Sequence, residues 1–185
     1  MAQAENEILI LVGSPQEDGR CAKAAQAIRD VLHLRGVRSC LFPLAKYPVA
    51  ACAGCQSCGK TGECVIKGDS FNVLSRHMDS CKALIVVAPV YFAGPSAWLK
   101  AALDRCQVYW ARRYQLKQPV PPARPAHVIA VGEGGDPFGF QPLVTICTSA
   151  LNSAGLRVTE ETVHDFVGEN YDLSRIPALL DEVLA

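Results

Sequence analysis

Two uninterrupted apolar runs, Ile8–Val12 and Ala83–Ala88, restrict what this chain can fold into more than any other feature. A strand with one wet face alternates apolar and polar residues. These runs have no polar face, so both sides must be covered, the pattern of a parallel sheet with helices on each side. Helical patterns fall where such a sheet needs them. Ala25, Ile28, Val31 and Leu32 share one face of a helix ended by Gly36. Phe71, Leu74, Met78 and Cys81 do so behind a cap at Asp69 or Ser70, and Leu99, Ala102, Leu103 and Cys106 behind Ser96. Val37–Phe42, Ala126–Val131 and the more alternating Leu156–Val163 complete five strands, the last at an edge. A helix from about Gln141 to Asn152 and a closing helix from Ser174, with Pro177 in its first turn, follow. The fold class is α/β, a doubly wound five-stranded parallel sheet.

The 185 residues suit one domain, and no repeat or interdomain linker interrupts them. Half the residues are hydrophobic and the formal net charge is +0, which excludes global disorder and a broad basic field for nucleic acid or anionic lipid. No apolar run approaches the roughly 20 residues of a membrane span. Residues 1–7 lack a basic start and a long apolar segment, so no export signal is expected. Nine cysteines without such a signal point to a reducing cytoplasm and to metal or redox chemistry.

Four of those cysteines, Cys52, Cys55, Cys58 and Cys64, fall within thirteen residues at spacings of two, two and five. Thiols this close cannot all enter a core, and they can converge on one metal centre. Gly54, Gly59 and Gly62 let the loop wrap closely. Short runs with two-residue gaps are the usual holder of a cubane [4Fe–4S] cluster. Zinc is the rival metal, although structural zinc sites usually set their cysteine pairs farther apart; a metal-free loop is the bland alternative. The loop occupies about residues 48–68.

Three other loops that follow expected strands carry unusual residues. Ser14–Arg20 joins a strand to a helix, and its amides, with Ser14 and Arg20, suit an anion; the turn alone equally suits an ordinary βα connection. Pro89–Pro95 is rich in aromatics and proline, and Gly132–Gly139 in glycine. Loops at strand C-termini share one sheet edge, where ligands bind. All four loops are therefore expected to form one composite cofactor site. The segment at about 107–125 mixes Tyr109, Trp110 and Tyr114 with arginines and ends in four prolines. It reads as an extended connector serving a subunit contact or a lid. His33, His77, His127 and His164 lack metal-like spacing and read as surface or packing residues, with Cys40, Cys81, Cys106 and Cys147 as core.

Gly13-Ser14-Pro15, the cysteine loop, Pro89-Val90-Tyr91-Phe92 and Leu99-Lys100 with Asp104-Arg105 together resemble the iron–sulfur flavoprotein branch of the NAD(P)H-dependent FMN reductase family. The resemblance implies a flavodoxin-like sheet with strand order 2-1-3-4-5, bound FMN beside a [4Fe–4S] cluster, and a homodimer or homotetramer. By position it implies that Ser14, Gln16, Gly19, Arg20 and Cys21 surround the FMN phosphate. Pro89, Val90, Tyr91, Phe92 and Gly94 would run along the ribityl chain and ring, and Gly132, Glu133, Gly134, Gly135 and Asp136 would border the pyrimidine end. Cys52, Cys55, Cys58 and Cys64 would ligate the cluster. The phosphate turn departs from the family, which usually has arginine at Gln16, asparagine at Arg20 and a hydroxyl residue at Cys21. That departure predicts a weaker hold on FMN.

The implied activity is electron transfer between a one-electron carrier such as ferredoxin, or NAD(P)H, and an acceptor, with no acid–base or nucleophilic constellation. No nucleic-acid or membrane partner is expected. Two alternatives remain open: a cluster-free NAD(P)H-dependent FMN or quinone reductase, and a zinc-stiffened, non-enzymatic module.

Overall fold

The computed structural model describes residues 7–184. The expectation about the first six residues lies outside them. Both apolar runs are central strands: β1 (Ile8–Val12) and β3 (Ala83–Tyr91) pair in parallel, Ile8 opposite Ala83. β2 (Ser39–Pro43) flanks β1, and β5 (Arg124–Gly132) flanks β3, both parallel. β4 is a two-residue strand, Gly94–Pro95, that folds back on β3.

Alternation along these strands splits the core into two layers. Leu9, Leu11, Leu84, Val86 and Val128 pack beneath α3 (Phe71–Ser80), α4 (Ala97–Arg105) and α6 (Gln141–Ser153). Ile8, Ile10, Ile85, Val87 and Ile129 pack against α1 (Arg20–Leu34) and the closing helix α7 (Ile176–Leu184). Gly13 lets the turn after β1 sit on α4, since a Cβ there would stand 2.8 Å from Leu99 Cδ2. No helix among the described residues is long and apolar enough to cross a membrane.

Two expectations are corrected. The fifth strand is not one run from Leu156 to Val163. β6 (Leu156–Arg157) pairs with the start of β5, and β7 (Val163–Val167) pairs with its end. Between them Glu160–Thr162 forms a 3₁₀ turn closed by reciprocal bonds between Thr159 and Thr162, which diverts the chain from the ladder. The sheet therefore runs β2-β1-β3-β5 with a broken fifth strand, β6 and β7, beside β5. The expected connector is helical in its first half: α5 (Gln107–Trp110) continues into a π-helical turn, Ala111–Gln115. Its prolines begin only at Pro119, so nothing upstream blocks a helix. Arg112 over Tyr109 and Arg113 over Tyr114 brace it.

His127 on β5 and His164 on β7 stack 5.4 Å apart, with Nδ1 and Nε2 at 3.1 Å. One ring donates and the other accepts, and their lowered pKa values keep both rings neutral near pH 7. Burial, then the neighbouring His164, lowers His127 from 6.5 to about 4; burial, then Arg175, does the same to His164. The unfolded chain binds more protons through this window, so the contribution is complete above pH 6.5 and lost on acidification toward pH 4. Allowing for solvent screening, urea unfolding should show a loss on the order of 2–3 kcal/mol at pH 4.5 relative to pH 7.5. His164→Gln keeps a hydrogen-bonding partner for His127 and should flatten that slope by about half. An unchanged slope in this variant would place the acid sensitivity elsewhere.

Candidate flavin turns and cysteine cavity

The four cysteines line one cavity of about 420 Å³, walled on the other side by Asp104, Arg105, Gln107, Val108 and Gln115. Gly54 and Gly62 adopt the left-handed backbone their lack of a Cβ permits, and Gln56 does so at φ +61°, a strained conformation for a residue with a Cβ. Cys58–Thr61 forms a single helical turn, α2, capped by Gly62.

Arg105 closes the neck of this loop. Its side chain is fully buried and donates from Nη1 to the Ala50 carbonyl at 3.0 Å and to Asp69 Oδ2 at 2.7 Å, and from Nη2 to the Ile66 carbonyl at 3.3 Å. The guanidinium also sits 4.5 Å from the Phe71 ring centroid. Asp69 accepts from the Ala50 and Phe71 amides, and although burial opposes it, these bonds and Arg105 hold its carboxyl below its ordinary pKa. One cation thus ties the chain entering the loop and the chain leaving it to the end of α4. The helical half of the connector backs the loop: Arg112 Nε donates to the Gly62 carbonyl at 2.7 Å, and Gln115 lies against Gly59. A π-helical turn at such a position is common beside functional sites.

The electrostatics suit a charged guest. The backbone N–H and hydroxyl of Ser57 lower the Cys55 pKa. Burial raises that of Cys58, and the neighbouring Cys64, Cys52 and Cys55 raise it further. Four thiolates repel one another unless a cation sits among them. Arg105 Nε is buried without a hydrogen-bond partner among the described residues. The cavity is wide. Among the described residues, the only Cys, His and carboxylate trio with ligand atoms all within 4.8 Å of one another is Glu7, Cys40 and His77, so no three loop sulfurs approach that closely. A single tetrahedral zinc, with Zn–S bonds of about 2.3 Å, needs its sulfurs roughly 3.8 Å apart, so the loop's side chains would draw together to hold one.

The other three loops meet around the ends of β1, β3 and β5. Ser14 is 4% exposed, and its Oγ accepts from the Gln16 amide at 3.1 Å, leaving its proton for another acceptor. Gln16 is exposed and folds over Gly19, the N-cap of α1, which has no side-chain cap and no acid in its first turn. The first amides of α1 therefore lack helical partners and favour an anion. Arg20 turns away from that position: Nη1 donates to the Gly132 carbonyl at 3.2 Å and pairs with Glu133 at 3.0 Å. Cys21 faces inward, 4% exposed among Ala24, Ala25 and Ile28, and burial pushes its thiol up to about 12. Its side chain packs on the apolar face of α1, so Cys21 could meet a phosphate only through its backbone amide.

Pro89 and Val90 lie in the last pleat of β3, before its final residue Tyr91, and Val90 packs against Gly132, where a Cβ would lie 3.3 Å away. Tyr91 and Gly94 pair across a two-residue turn whose Phe92 and Ala93 both have positive φ, 50° and 60°. That turn leaves Phe92 completely exposed and Tyr91 44% exposed. Ser96 Oγ donates to the Gly13 carbonyl at 2.5 Å, fixing the start of α4 to the serine turn. Gly134 and Gly135 have positive φ, and Asp136 accepts from the Phe138 amide at 2.9 Å.

Three of the four expected loops are thus brought together, and the fourth is set apart. The cysteine cavity shares no lining residue with the serine, tyrosine or glycine turns. Gly13 meets α4 at its first turn through Ser96, whereas the cavity meets it at Arg105. Nine helical residues separate them, roughly 14 Å at 1.5 Å per residue. The serine turn thus meets α4 at its first turn, and the cysteine cavity meets it at its last.

The family model for NADPH-dependent FMN reductase matches residues 6–176. The chain belongs to that family. Among curated relatives, an "Iron-sulfur flavoprotein" of Archaeoglobus fulgidus is 31% identical over 136 residues, 74% of this chain and 66% of that protein. Another so named, from Methanosarcina thermophila, is 32% identical over 108 residues, 58% and 56% of the two chains. The chain thus spans between about half and two thirds of the curated relatives it matches. The flavodoxin-like fold recurs in an NAD(P)H:quinone oxidoreductase from Methanothermobacter marburgensis, with TM-score 0.66, 15% identity and coverage of 97% and 95% of the two chains. It also recurs in an NADH:FMN oxidoreductase, with TM-score 0.61, 19% identity and coverage of 96% and 88%.

Proposed function

We propose that this FMN reductase family member is an FMN-dependent oxidoreductase whose cysteine loop carries a [4Fe–4S] cluster, moving electrons between NAD(P)H or a one-electron carrier such as ferredoxin and an acceptor. The observation that carries the reading is the single cavity lined by Cys52, Cys55, Cys58 and Cys64, clamped at its neck by buried Arg105. Bound FMN would exchange electrons singly or in pairs, and a bound cluster one at a time.

The chain's own groups do the rest. Cys52, Cys55, Cys58 and Cys64 supply four ligands, and the Arg105 cation offsets their negative charge while keeping Nε as a donor. Hydrogen bonds and charge at such a position set a cluster's potential. The unpartnered amides at the start of α1 and the Ser14 hydroxyl hold the phosphate end of FMN. Arg20 acts indirectly, joining α1 to the glycine loop through Gly132 and Glu133. Tyr91 and Phe92 offer aromatic faces beside the ring. With neither Arg20 nor Cys21 aimed at the phosphate, the hold on FMN rests on backbone amides and one hydroxyl.

One observation favours a second reading, the cluster-free reductase: the serine, tyrosine and glycine turns contribute no lining residue to the cysteine cavity. Protein purified anaerobically separates the two. About four irons and four acid-labile sulfides per chain are expected, with a broad visible band that dithionite bleaches. FMN with less than about one iron per chain would leave the cluster-free reductase. Neither iron nor flavin would remove both readings.

A further inference from the structure

We propose that Glu7, Cys40 and His77 form a second metal site, for one divalent ion of zinc-like preference, separate from the cysteine loop. The carboxylate of Glu7, the thiol of Cys40 and the imidazole of His77 have ligand atoms within 4.8 Å of one another. Cys40 Sγ and His77 Nε2 are 3.9 Å apart. Around a tetrahedral zinc with bonds of 2.0–2.3 Å, ligand atoms stand about 3.4–3.6 Å from one another, so closure needs movements of side-chain size only.

The fold brings these groups together by rule. Leu9 and Cys40 are register partners on β1 and β2, and Glu7, two residues before Leu9, falls on the same side of the sheet. That side is covered by α3, whose last turn carries His77. Backbone bonds fix the supports: the Lys82 amide donates to the Glu7 carbonyl at 2.9 Å, and the Ile8 amide to the Arg38 carbonyl at 3.0 Å. The edge of Phe42 limits the His77 ring, with centroids 6.2 Å apart. All three residues are half-buried, sheltered enough to bind and open enough for an ion to enter.

Thiolate, imidazole and carboxylate are the donors zinc takes, and three protein ligands leave a fourth position for water or another small ligand. Hard ions such as magnesium and calcium prefer oxygen throughout. Burial, and then the charge of Glu7, raises the Cys40 pKa; a cation between two groups that repel as anions reverses that penalty. The site lies where β1 and β2 begin, at the sheet edge opposite the loops that follow the strands, and its occupation is independent of flavin or cluster binding.

The test is a Co²⁺ titration of anaerobic holoprotein, read as difference spectra and followed by Zn²⁺ displacement. One Co²⁺ per chain is expected, with a thiolate charge-transfer band in the near ultraviolet that one equivalent of Zn²⁺ removes. Cys40→Ser should abolish the band. His77→Gln should weaken Co²⁺ binding by about tenfold or more, as loss of one of three ligands requires. A Co²⁺ stoichiometry near zero, or a band that survives Cys40→Ser, would overturn the site. Should Cys40→Ser fail to fold, His77→Gln decides: undiminished affinity in that variant rejects the proposal. Iron content is measured on the same samples, so failure of the cluster reading shows as missing iron and failure of this site as missing cobalt.

Discussion

Arg105→Met is expected to destabilise the cluster-free protein by about 3–5 kcal/mol, the usual cost of leaving one partner of a buried pair alone. The arginine side chain is fully buried, and Asp69 retains 11% exposure. The substitution removes the bonds to Ala50, Ile66 and Asp69 together, so both strands of the loop's neck lose their attachment to α4. Methionine preserves part of the packing on Phe71, which confines the loss to the polar contacts. With a urea dependence of about 2–3 kcal/mol per molar, the midpoint should fall by roughly 1–2 M. Asp69→Asn alone should cost less, because the residue keeps a carbonyl oxygen for the Ala50 and Phe71 amides. The double variant should fall short of the sum, since the two residues share one network. A change of less than about 1 kcal/mol for Arg105→Met would mean that the loop is held by its other contacts, such as Arg112 to Gly62, and that the clamp has been misassigned.

What was legible in the sequence follows from how local each signal is. Ile8–Val12 and Ala83–Ala88 identify buried strands without knowledge of their neighbours, because burial on both faces writes itself into every residue. The cysteine spacing is equally local, and the four thiols do share a cavity. The inward face of Cys21 is legible too: it continues the α1 stripe of Ala24, Ala25 and Ile28 at helical spacing, and that stripe is core. In the connector, prolines that begin at Pro119 were allowed to speak for residues a dozen positions upstream. The broken fifth strand hides in Thr159 and Thr162, polar residues that a strand tolerates and a 3₁₀ turn exploits.

Two features could not be read from spacing at all. Where along α4 the cysteine cavity sits depends on the buried Arg105, which reaches back to residues 36 and 55 positions away. Glu7, Cys40 and His77 come from two strands and a helix, so their convergence exists only once β1, β2 and α3 are assembled. Topology tells which edge a loop leaves from. It does not tell how far along a helix a clamp will draw that loop.

Cys58→Ser should reduce iron from about four per chain to less than about one, with acid-labile sulfide falling in parallel, because a cubane holds one thiolate on each iron. Cys58 is the sharpest of the four to change. It begins α2, its thiol faces the Gln107 carbonyl at 3.9 Å, and its pKa is raised by burial and by all three of its partners. A serine there keeps the size of the side chain while removing the only donor soft enough for iron, and the sheet core lies outside the loop, so cluster-free stability should change by less than about 1 kcal/mol. Cys40→Ser supplies the control: it should leave iron at about four per chain, because Cys40 is not in the cavity. Iron lost with Cys58 and cobalt lost with Cys40 would place two metals at opposite edges of one sheet. Iron that persists in Cys58→Ser would mean that the fourth ligand comes from elsewhere. Zinc in place of iron, lost in the same variant, would turn the loop into a structural site.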